Sequence, residues 1–119
     1  MKTYRLLLIG FGNVGKAFIE LIDRKREELA ADPGIELRIT GIATGRHGNA
    51  LDPEGIPLPG ILEVMRTGQS YASLCKTPAP ANSLDLIQIC PADILLENTP
   101  VNHQTGQPAI DHLKAGIQR

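Results

Sequence analysis

A glycine-rich turn near the N-terminus constrains the fold more than any other part of the chain. An apolar run from Tyr4 to Ile9 leads into Gly10-x-Gly12-x-x-Gly15, and a helical pattern follows at once. In a strand–turn–helix unit of this kind, the first glycine permits the tight turn and the second lets a pyrophosphate approach the backbone. The third glycine lets helix and strand pack closely. The motif therefore predicts a dinucleotide-binding turn, although the same glycines also serve a plain strand-to-helix turn.

Length and composition indicate a single soluble domain. The chain has 119 residues, of which 42% are hydrophobic and 21% are charged, values ordinary for a globular protein. No apolar run approaches the roughly 20 residues that a membrane-spanning helix needs. The N-terminus shows no h-region followed by a small-residue cleavage site, so we expect no secretory signal and a cytoplasmic location.

Charge, cysteines and histidines exclude several other classes of function. Twelve basic and thirteen acidic residues give a net charge of −1, which offers no electrostatic footprint for nucleic acid. Cys75 and Cys90 lack C-x-x-C spacing and are expected to be small buried groups rather than a redox pair. His47, His103 and His112 show no metal-ligand spacing, so we expect no metal site and interpret each as a surface histidine.

The first half of the chain has the pattern of a βαβ unit. Residues 4–9 are continuously apolar, as in a central strand buried on both sides. A helix is predicted from Asn13 to a stop at Asp32-Pro33-Gly34, and residues 37–43 form a second strand, parallel to the first. The helix would bury the apolar residues that recur at helical spacing, namely Val14, Ala17, Phe18, Leu21, Ile22 and Leu29.

The second half is less regular. Residues 49–60 contain three prolines and two glycines and are predicted to be a turn-rich connection. A short helix around residues 61–65 should end near Gly68, and Ser83 could cap another helix through Ile89. Residues 71–74 are a poor candidate for a third strand, whereas residues 93–98 are a better one. A final helix over residues 107–118 would have Pro108 in its first turn and would bury Ala109, Ile110, Leu113 and Ile117. The prediction is an α/β fold, a truncated Rossmann-like doubly wound parallel sheet.

In such a sheet, a ligand binds outside the carboxyl ends of the strands. The turn from Gly10 to Gly15 would hold a pyrophosphate, and Asn98-Thr99-Pro100 would face the nicotinamide-side ribose. Alternatively, Asn98 and Thr99 only satisfy backbone groups at a strand end. Asp93 and Glu97 lie more than about 10 Å apart along a strand and are not an acid/base pair; Glu97, if buried, needs hydrogen-bond partners.

The end of the second strand bears on the choice of cofactor. An acidic residue there would accept hydrogen bonds from the adenosine ribose of NAD. The sequence instead has Ala43-Thr44-Gly45 followed by Arg46, whose guanidinium suits a 2′-phosphate. We therefore favour NADP over NAD, with Arg46 as a solvated loop charge as the alternative.

Taken together, these motifs resemble the N-terminal nucleotide-binding region of homoserine dehydrogenase. The resemblance is carried by residues 10–15, by the strand end Gly41-Ile42-Ala43 before Arg46, and by residues 93–100 followed by Thr-Gly-Gln-Pro-Ala at 105–109. It runs from Lys2 to Arg119.

The resemblance implies an oxidoreductase of amino-acid biosynthesis. The family reduces aspartate 4-semialdehyde to homoserine with NADPH or NADH, on the route to threonine and methionine. It implies that Phe11, Asn13 and Val14 contact the pyrophosphate, Arg46 the adenosine-side phosphate, and Asn98-Thr99-Pro100 the nicotinamide half.

The family's residues for proton transfer and substrate binding have no counterpart in this chain. Residues 1–119 therefore look like an NAD(P)-binding domain without its substrate and catalytic domain, inactive alone and without catalytic residues. A stand-alone nucleotide-binding regulatory module is the alternative, and another NADP-linked reductase is a lesser one. An unpaired edge at the strand ending at Asn98 would favour self-association into a homo-oligomer.

Overall fold

The computed structural model describes residues 2–32, 34–45, 47–75, 78–99 and 104–119. Four strands form one sheet in the order β3-β2-β1-β4. In chain order the elements are β1 (Lys2–Ile9), α1 (Asn13–Ala31), β2 (Ile35–Ala43), β3 (Asn49–Ile56), α2 (Leu58–Thr67), a 3₁₀ helix (Tyr71–Leu74), α3 (Ser83–Ile89), β4 (Ile94–Glu97) and α4 (Ala109–Gln118).

The strand β1 is the centre of the sheet, as its continuous apolar sequence predicts. It pairs in parallel with β2 on one side and with β4 on the other. Leu6 and Leu8 pack into a core with α1 and α2, whereas Leu7 and Ile9 pack into a second core with α3 and α4. Side chains alternate between the faces of a strand, so helices cover both faces of the sheet. The predicted α/β, Rossmann-like fold is confirmed.

The first correction to the sequence prediction is the strand β3. Residues 49–60 are not a turn-rich connection, because Asn49–Ile56 pairs antiparallel with β2 and α2 begins at Leu58. The sheet is therefore mixed rather than wholly parallel. The pairing shifts register between Ile39 and Gly41, and Pro53 lies in the stretch between the paired residues Leu51 and Ile56. An edge strand with an irregular centre tolerates a proline that a central strand would not.

The predicted buried faces of two helices are only partly right. In α1, Ile22 is buried and Phe18 packs against the core as predicted, whereas Val14 and Leu21 are exposed. The other buried residues of this helix are Gly15 and Ile19. In α4 the residues that face the protein are His112 and Ala115. Three of the four residues predicted to be buried in α4 are exposed instead: Ile110, Leu113 and Ile117.

Two contacts accompany the register of α4. A Cβ on Gly116 would lie 3.0 Å from Leu95 Cδ1, so a small residue lies where the helix meets β4. His112, one turn earlier, faces Glu97, and the larger aliphatic residues of the helix point outward.

Smaller differences concern helix ends and residues 71–74. Tyr71–Leu74 is a 3₁₀ helix and not a strand. Asn82, not Ser83, caps α3, because its Oδ1 accepts hydrogen bonds from Leu84 N (2.7 Å) and Asp85 N (3.4 Å). The predicted end of α2 is confirmed, since Gly68 follows the helix in the left-handed conformation at φ +74°. Pro33, one of the predicted stop residues of α1, lies outside the described residues.

At the amino end of β4, an ion pair joins this strand to β1. Arg5 Nη2 lies 3.2 Å from Asp93 Oδ1, and Arg5 N donates to Asp93 Oδ2 at 2.8 Å. These hydrogen bonds and the charge of the guanidinium lower the pKa of the Asp93 carboxyl. Glu97 lies at the opposite end of the strand, paired with Ile9, so the two carboxylates are separated as predicted.

The described part of the chain contains no helix long and apolar enough to cross a membrane. Cys90 is fully buried, as predicted, and its burial raises the pKa of the thiol. Cys75 is only half-buried.

Candidate functional site

The glycine turn and the end of β4 are in direct contact. Gly10 N donates to Ala43 O at 2.8 Å, which joins the turn to the end of β2. Gly10 has a φ of +84°, and a Cβ at this position would lie 2.6 Å from Thr99 N. A residue with a side chain would therefore be strained and would also collide with the main chain after β4. Glycine at this position lets the two sides of the cleft meet.

The second glycine faces open space. Among the described residues, no atom beyond the two neighbouring residues lies within 4 Å of a Cβ built on Gly12, so packing against this part of the chain does not require a glycine here. Gly12 precedes α1, and no side chain of the described residues caps the helix. The first N–H groups of a helix point out of its N-terminus and attract anions. An open surface next to uncapped N–H groups can receive a phosphate.

The third glycine serves packing, as predicted. A Cβ on Gly15 would lie 2.8 Å from Phe11 Cδ1, so the Phe11 ring fits against α1 only because Gly15 has no side chain. The ring is 6% exposed and meets the Tyr71 ring edge-on, with 5.2 Å between the centroids. Phe11 is thus a core residue that brings its backbone, and not its ring, to the turn.

Polar contacts fix the end of β4. Asn98 N donates to Ile9 O at 2.9 Å, and the Asn98 side-chain amide, with its nitrogen towards the turn, donates to the carbonyl oxygens of Ile9 (2.9 Å) and Gly10. Glu97 Oε1 accepts hydrogen bonds from Thr99 N (2.8 Å) and from the Thr99 hydroxyl. Glu97 Oε2 lies 2.5 Å from His112 Nδ1. The buried Glu97 therefore has the partners that the sequence indicated it would need.

The loop after β2 is held by Thr44 and Asn49. The Thr44 hydroxyl donates to Gly48 O at 2.6 Å and accepts from His47 N at 2.8 Å, while Thr44 N donates to Asn49 Oδ1 at 3.2 Å. Asn49 Nδ2 in turn donates to Pro80 O at 2.8 Å. These contacts place the end of β2 beside the loop that precedes α3.

The three loops surround one cavity of about 870 Å³, a volume within the range of cofactor sites. None of its described lining residues is acidic, so nothing on the described wall repels a phosphate. The lining residues are Gly10, Phe11, Gly12, Asn13, Val14, Ala43, Thr44, Gly45, His47, Ser83, Asn98, Thr99, Pro108 and His112. Among the described residues, no group of three or more His, Cys, Asp or Glu could hold a metal ion.

Comparison with known proteins agrees with this geometry. No family model matches the chain. It is 27% identical over 119 residues to the NAD(+)-dependent homoserine dehydrogenase of Pseudomonas canavaninivorans, covering all of this chain and 34% of that protein. It is 29% identical over 108 residues to the homoserine dehydrogenase of Methanocaldococcus jannaschii, covering 91% of this chain and 32% of that one. Along its whole length the chain resembles homoserine dehydrogenases. It spans about a third of the length of the curated relatives it matches.

Solved structures of homoserine dehydrogenases share the fold. A hyperthermophilic archaeal homoserine dehydrogenase in complex with NADPH superimposes with a TM-score of 0.71 at 20% identity, over 97% of this chain and 33% of that one. The enzyme from Thermoplasma acidophilum gives a TM-score of 0.68 at 20% identity, over 97% of this chain and 33% of that one. The resemblance to homoserine dehydrogenase that the motifs predicted is confirmed.

Most of the site residues implied by the homoserine dehydrogenase pattern line one cavity. Residues 10–14 do so together with Asn98 and Thr99, whereas Gly15 does not. Arg46 and Pro100 lie outside the described residues. Asn98 and Thr99 also form hydrogen bonds with backbone groups and with Glu97 at the end of β4, as in the alternative in which they only satisfy groups at a strand end. Both residues also line the cavity.

Seven lining residues were not predicted as site residues. Three of them belong to the strand end considered for cofactor choice, Ala43, Thr44 and Gly45, and the other four are His47, Ser83, Pro108 and His112. His112 was interpreted as a surface histidine, but it is 6% exposed, and that interpretation is wrong. The sequence contained one indication of a buried polar partner such as His112. Glu97 was expected to need hydrogen-bond partners if it is buried. His47 is exposed, as predicted, and His103 lies outside the described residues.

Proposed function

We propose that this chain is the cofactor-binding domain of an NAD(P)-dependent homoserine dehydrogenase. A nicotinamide dinucleotide would occupy the cavity with its pyrophosphate at the turn from Gly10 to Gly15 and its nicotinamide half towards Asn98 and Thr99. When bound, this cofactor supplies the hydride for reduction of aspartate 4-semialdehyde to homoserine, in cytoplasmic threonine and methionine biosynthesis.

The observation that carries the proposal is the open space at Gly12. No atom of the described chain would contact a Cβ there, and α1 begins beside it without a side-chain cap. These two features fit a bound pyrophosphate and have no packing role of their own. The NADPH complex of a homoserine dehydrogenase with the same fold supports the choice of ligand.

NADP is the preferred cofactor in this proposal. The described residues that line the cavity at the end of β2 are Ala43, Thr44 and Gly45, and none can accept hydrogen bonds through a carboxylate as an NAD-binding site would. Arg46 is proposed as the partner of a 2′-phosphate. The Pseudomonas relative is named as an NAD(+)-dependent enzyme, so binding of NADH should be measured beside binding of NADPH.

Calorimetric titration of the chain with NADPH and NADH tests the proposal. We expect saturable binding of both, tighter for NADPH. Gly12→Asp should weaken NADPH binding at least about tenfold, or about 1.4 kcal/mol, because a carboxylate would occupy the phosphate position. The fold should be unchanged, since no atom of the described residues beyond the two neighbours lies within 4 Å of a Cβ at Gly12.

Gln69→Glu is the matched control, because it adds the same charge at an exposed loop residue that does not line the cavity. It should bind NADPH as the unmodified chain does. Absence of saturable binding to the folded chain, or equal binding by the Gly12→Asp variant, would contradict the proposed function.

We assign no catalytic residue in this chain and expect it to show no dehydrogenase activity alone. Turnover of aspartate 4-semialdehyde by the purified 119-residue chain would contradict that expectation. The reading frame that follows Arg119 in the source gene separates the enzyme from a stand-alone binding module. A frame that continues into a substrate domain supports the enzyme, and a stop codon supports the module.

A further inference from the structure

Glu97 is a buried carboxylate that contacts two residues of the cavity wall, Thr99 and His112, without lining the proposed cofactor cavity itself. Its side chain is 7% exposed and so is that of His112, its partner on α4. Burying a charged group without partners is unfavourable by several kcal/mol, so the Glu97 side chain is constrained to this arrangement. One oxygen faces His112 and the other faces Thr99.

The contacts of Glu97 determine what Thr99 can offer a ligand. Glu97 Oε1 is the acceptor for two donors of the same residue, Thr99 N at 2.8 Å and the Thr99 hydroxyl. The Thr99 hydroxyl therefore donates its proton to Glu97. With its proton donated to Glu97, the Thr99 hydroxyl oxygen has only lone pairs left for a further partner, and Thr99 is a residue of the cavity wall.

His112 fixes the carboxylate from the other side. Its Nδ1 lies 2.5 Å from Glu97 Oε2, and α4 holds the imidazole at the cavity wall. Without this contact, Glu97 could rotate away, and the Thr99 hydroxyl could turn to donate to the ligand instead. The three residues form a chain of hydrogen bonds from α4 through β4 to the loop.

We propose that Glu97 and His112 are positioning residues that hold the Thr99 hydroxyl oxygen as a hydrogen-bond acceptor for the carboxamide N–H groups of the nicotinamide. This inference rests on the proposed function, which puts the nicotinamide half at Thr99. The inference adds that recognition of the nicotinamide half depends on Glu97 and His112, which act by orienting the Thr99 hydroxyl.

The test compares two ligands that differ in the nicotinamide half. NADPH contains it, whereas 2′-phospho-ADP-ribose retains the adenosine and the pyrophosphate without the nicotinamide ring. Thr99→Val removes the acceptor oxygen with little change of shape, and His112→Leu removes the contact to Glu97. Each should weaken NADPH binding about tenfold while changing binding of 2′-phospho-ADP-ribose less than about twofold.

His112→Asn is the conservative variant, because its amide nitrogen can occupy the place of Nδ1 and donate to Glu97. It should restore most of the NADPH affinity. A merely structural role for His112 would lower the affinity for both ligands equally. Each comparison is a ratio of two affinities of one variant, so a variant that is partly unfolded still gives an answer.

Equal losses for both ligands in Thr99→Val and His112→Leu, or no loss for either, would overturn the inference and leave the proposed function standing. If the unmodified chain bound neither ligand, the result would contradict both the proposed function and this inference. If 2′-phospho-ADP-ribose alone bound, the nicotinamide assignment at Thr99 would be wrong.

Discussion

At the scale of single residues, the three glycines of the turn have three different physical roles. Gly10 lets two backbone segments touch, Gly12 leaves space, and Gly15 makes room for the Phe11 ring. The sequence motif predicted these roles in general terms. It could not show that Phe11 would be a core residue, because an aromatic residue between two glycines is equally compatible with an exposed ring. That information lies in Tyr71, whose ring meets Phe11 from sixty residues away in the chain.

The role of Gly10 leads to a prediction for stability. Gly10→Ala forces an alanine to φ +84° and puts its Cβ 2.6 Å from Thr99 N. We expect a loss of about 3 kcal/mol in the free energy of unfolding, from left-handed strain and from the collision together. Denaturant unfolding followed by circular dichroism measures this loss.

Gly68→Ala is the matched control for that measurement. Gly68 has a similar φ of +74°, but in the described part of the chain no atom beyond its two neighbours would lie within 4 Å of a Cβ there. It should lose only about 1 kcal/mol, the strain alone. Equal losses for the two variants would show that the contact between the turn and Thr99 is not as close as described.

At the scale of elements, what the sequence predicted well is what local pattern determines. The strand β1 and the helix α1 were recognised because a buried central strand is apolar throughout and because the glycine turn marks where the helix begins. The bounds of α1, Asn13–Ala31, match the prediction. In contrast, β3 was missed because Pro53 and Gly55 lie in the irregular centre of an edge strand, while only its ends pair with β2.

The buried face of α4 was missed for a different physical reason. Hydrophobic periodicity favoured Ile110, Leu113 and Ile117, which are exposed. The helix instead turns His112 inward to meet Glu97. Pairing of a buried carboxylate is a tertiary requirement that periodicity within one helix does not contain, so the site residue His112 could not be found from α4 alone.

The start of α3 provides a prediction at this scale, because it distinguishes the observed cap from the one that the sequence favoured. Asn82 Oδ1 accepts from Leu84 N and Asp85 N, so Asn82→Ala should lower the free energy of unfolding by about 1 kcal/mol. Ser83→Ala is the control and should change it by less than about 0.5 kcal/mol. Denaturant unfolding of both variants measures these changes. A larger loss of unfolding free energy for Ser83→Ala than for Asn82→Ala would show that Ser83 is the capping residue.

At the scale of the whole molecule, the cavity depends on elements that are distant in the sequence. The turn after β1, the loop after β2, the end of β4 and the start of α4 all contribute to its wall. Parallel strands bring their carboxyl ends to one edge of the sheet, which is why the sequence could predict that the turn and residues 98–99 face each other. It could not predict the contribution of α4, since that depends on how the helix returns across the sheet.

The same arrangement leaves one side of the molecule apolar and open. Among the described residues, β4 pairs only with β1 and forms an edge of the sheet. Leu113 and Ile117 of α4, the helix that packs against β4, are 47% and 85% exposed. An unpaired strand edge next to exposed aliphatic side chains favours association with another chain. We therefore expect the isolated chain to self-associate through this side.

Sedimentation velocity over a range of concentrations measures that self-association. Leu113→Lys should shift the chain towards monomer, because a charged side chain in the contact must lose its hydration. Leu21→Lys is the matched control: Leu21 is 42% exposed, but it lies on α1, which packs against the other face of the sheet. It should leave the association unchanged. A chain that stays monomeric at high concentration would refute the prediction, and equal effects of the two lysines would place the contact elsewhere.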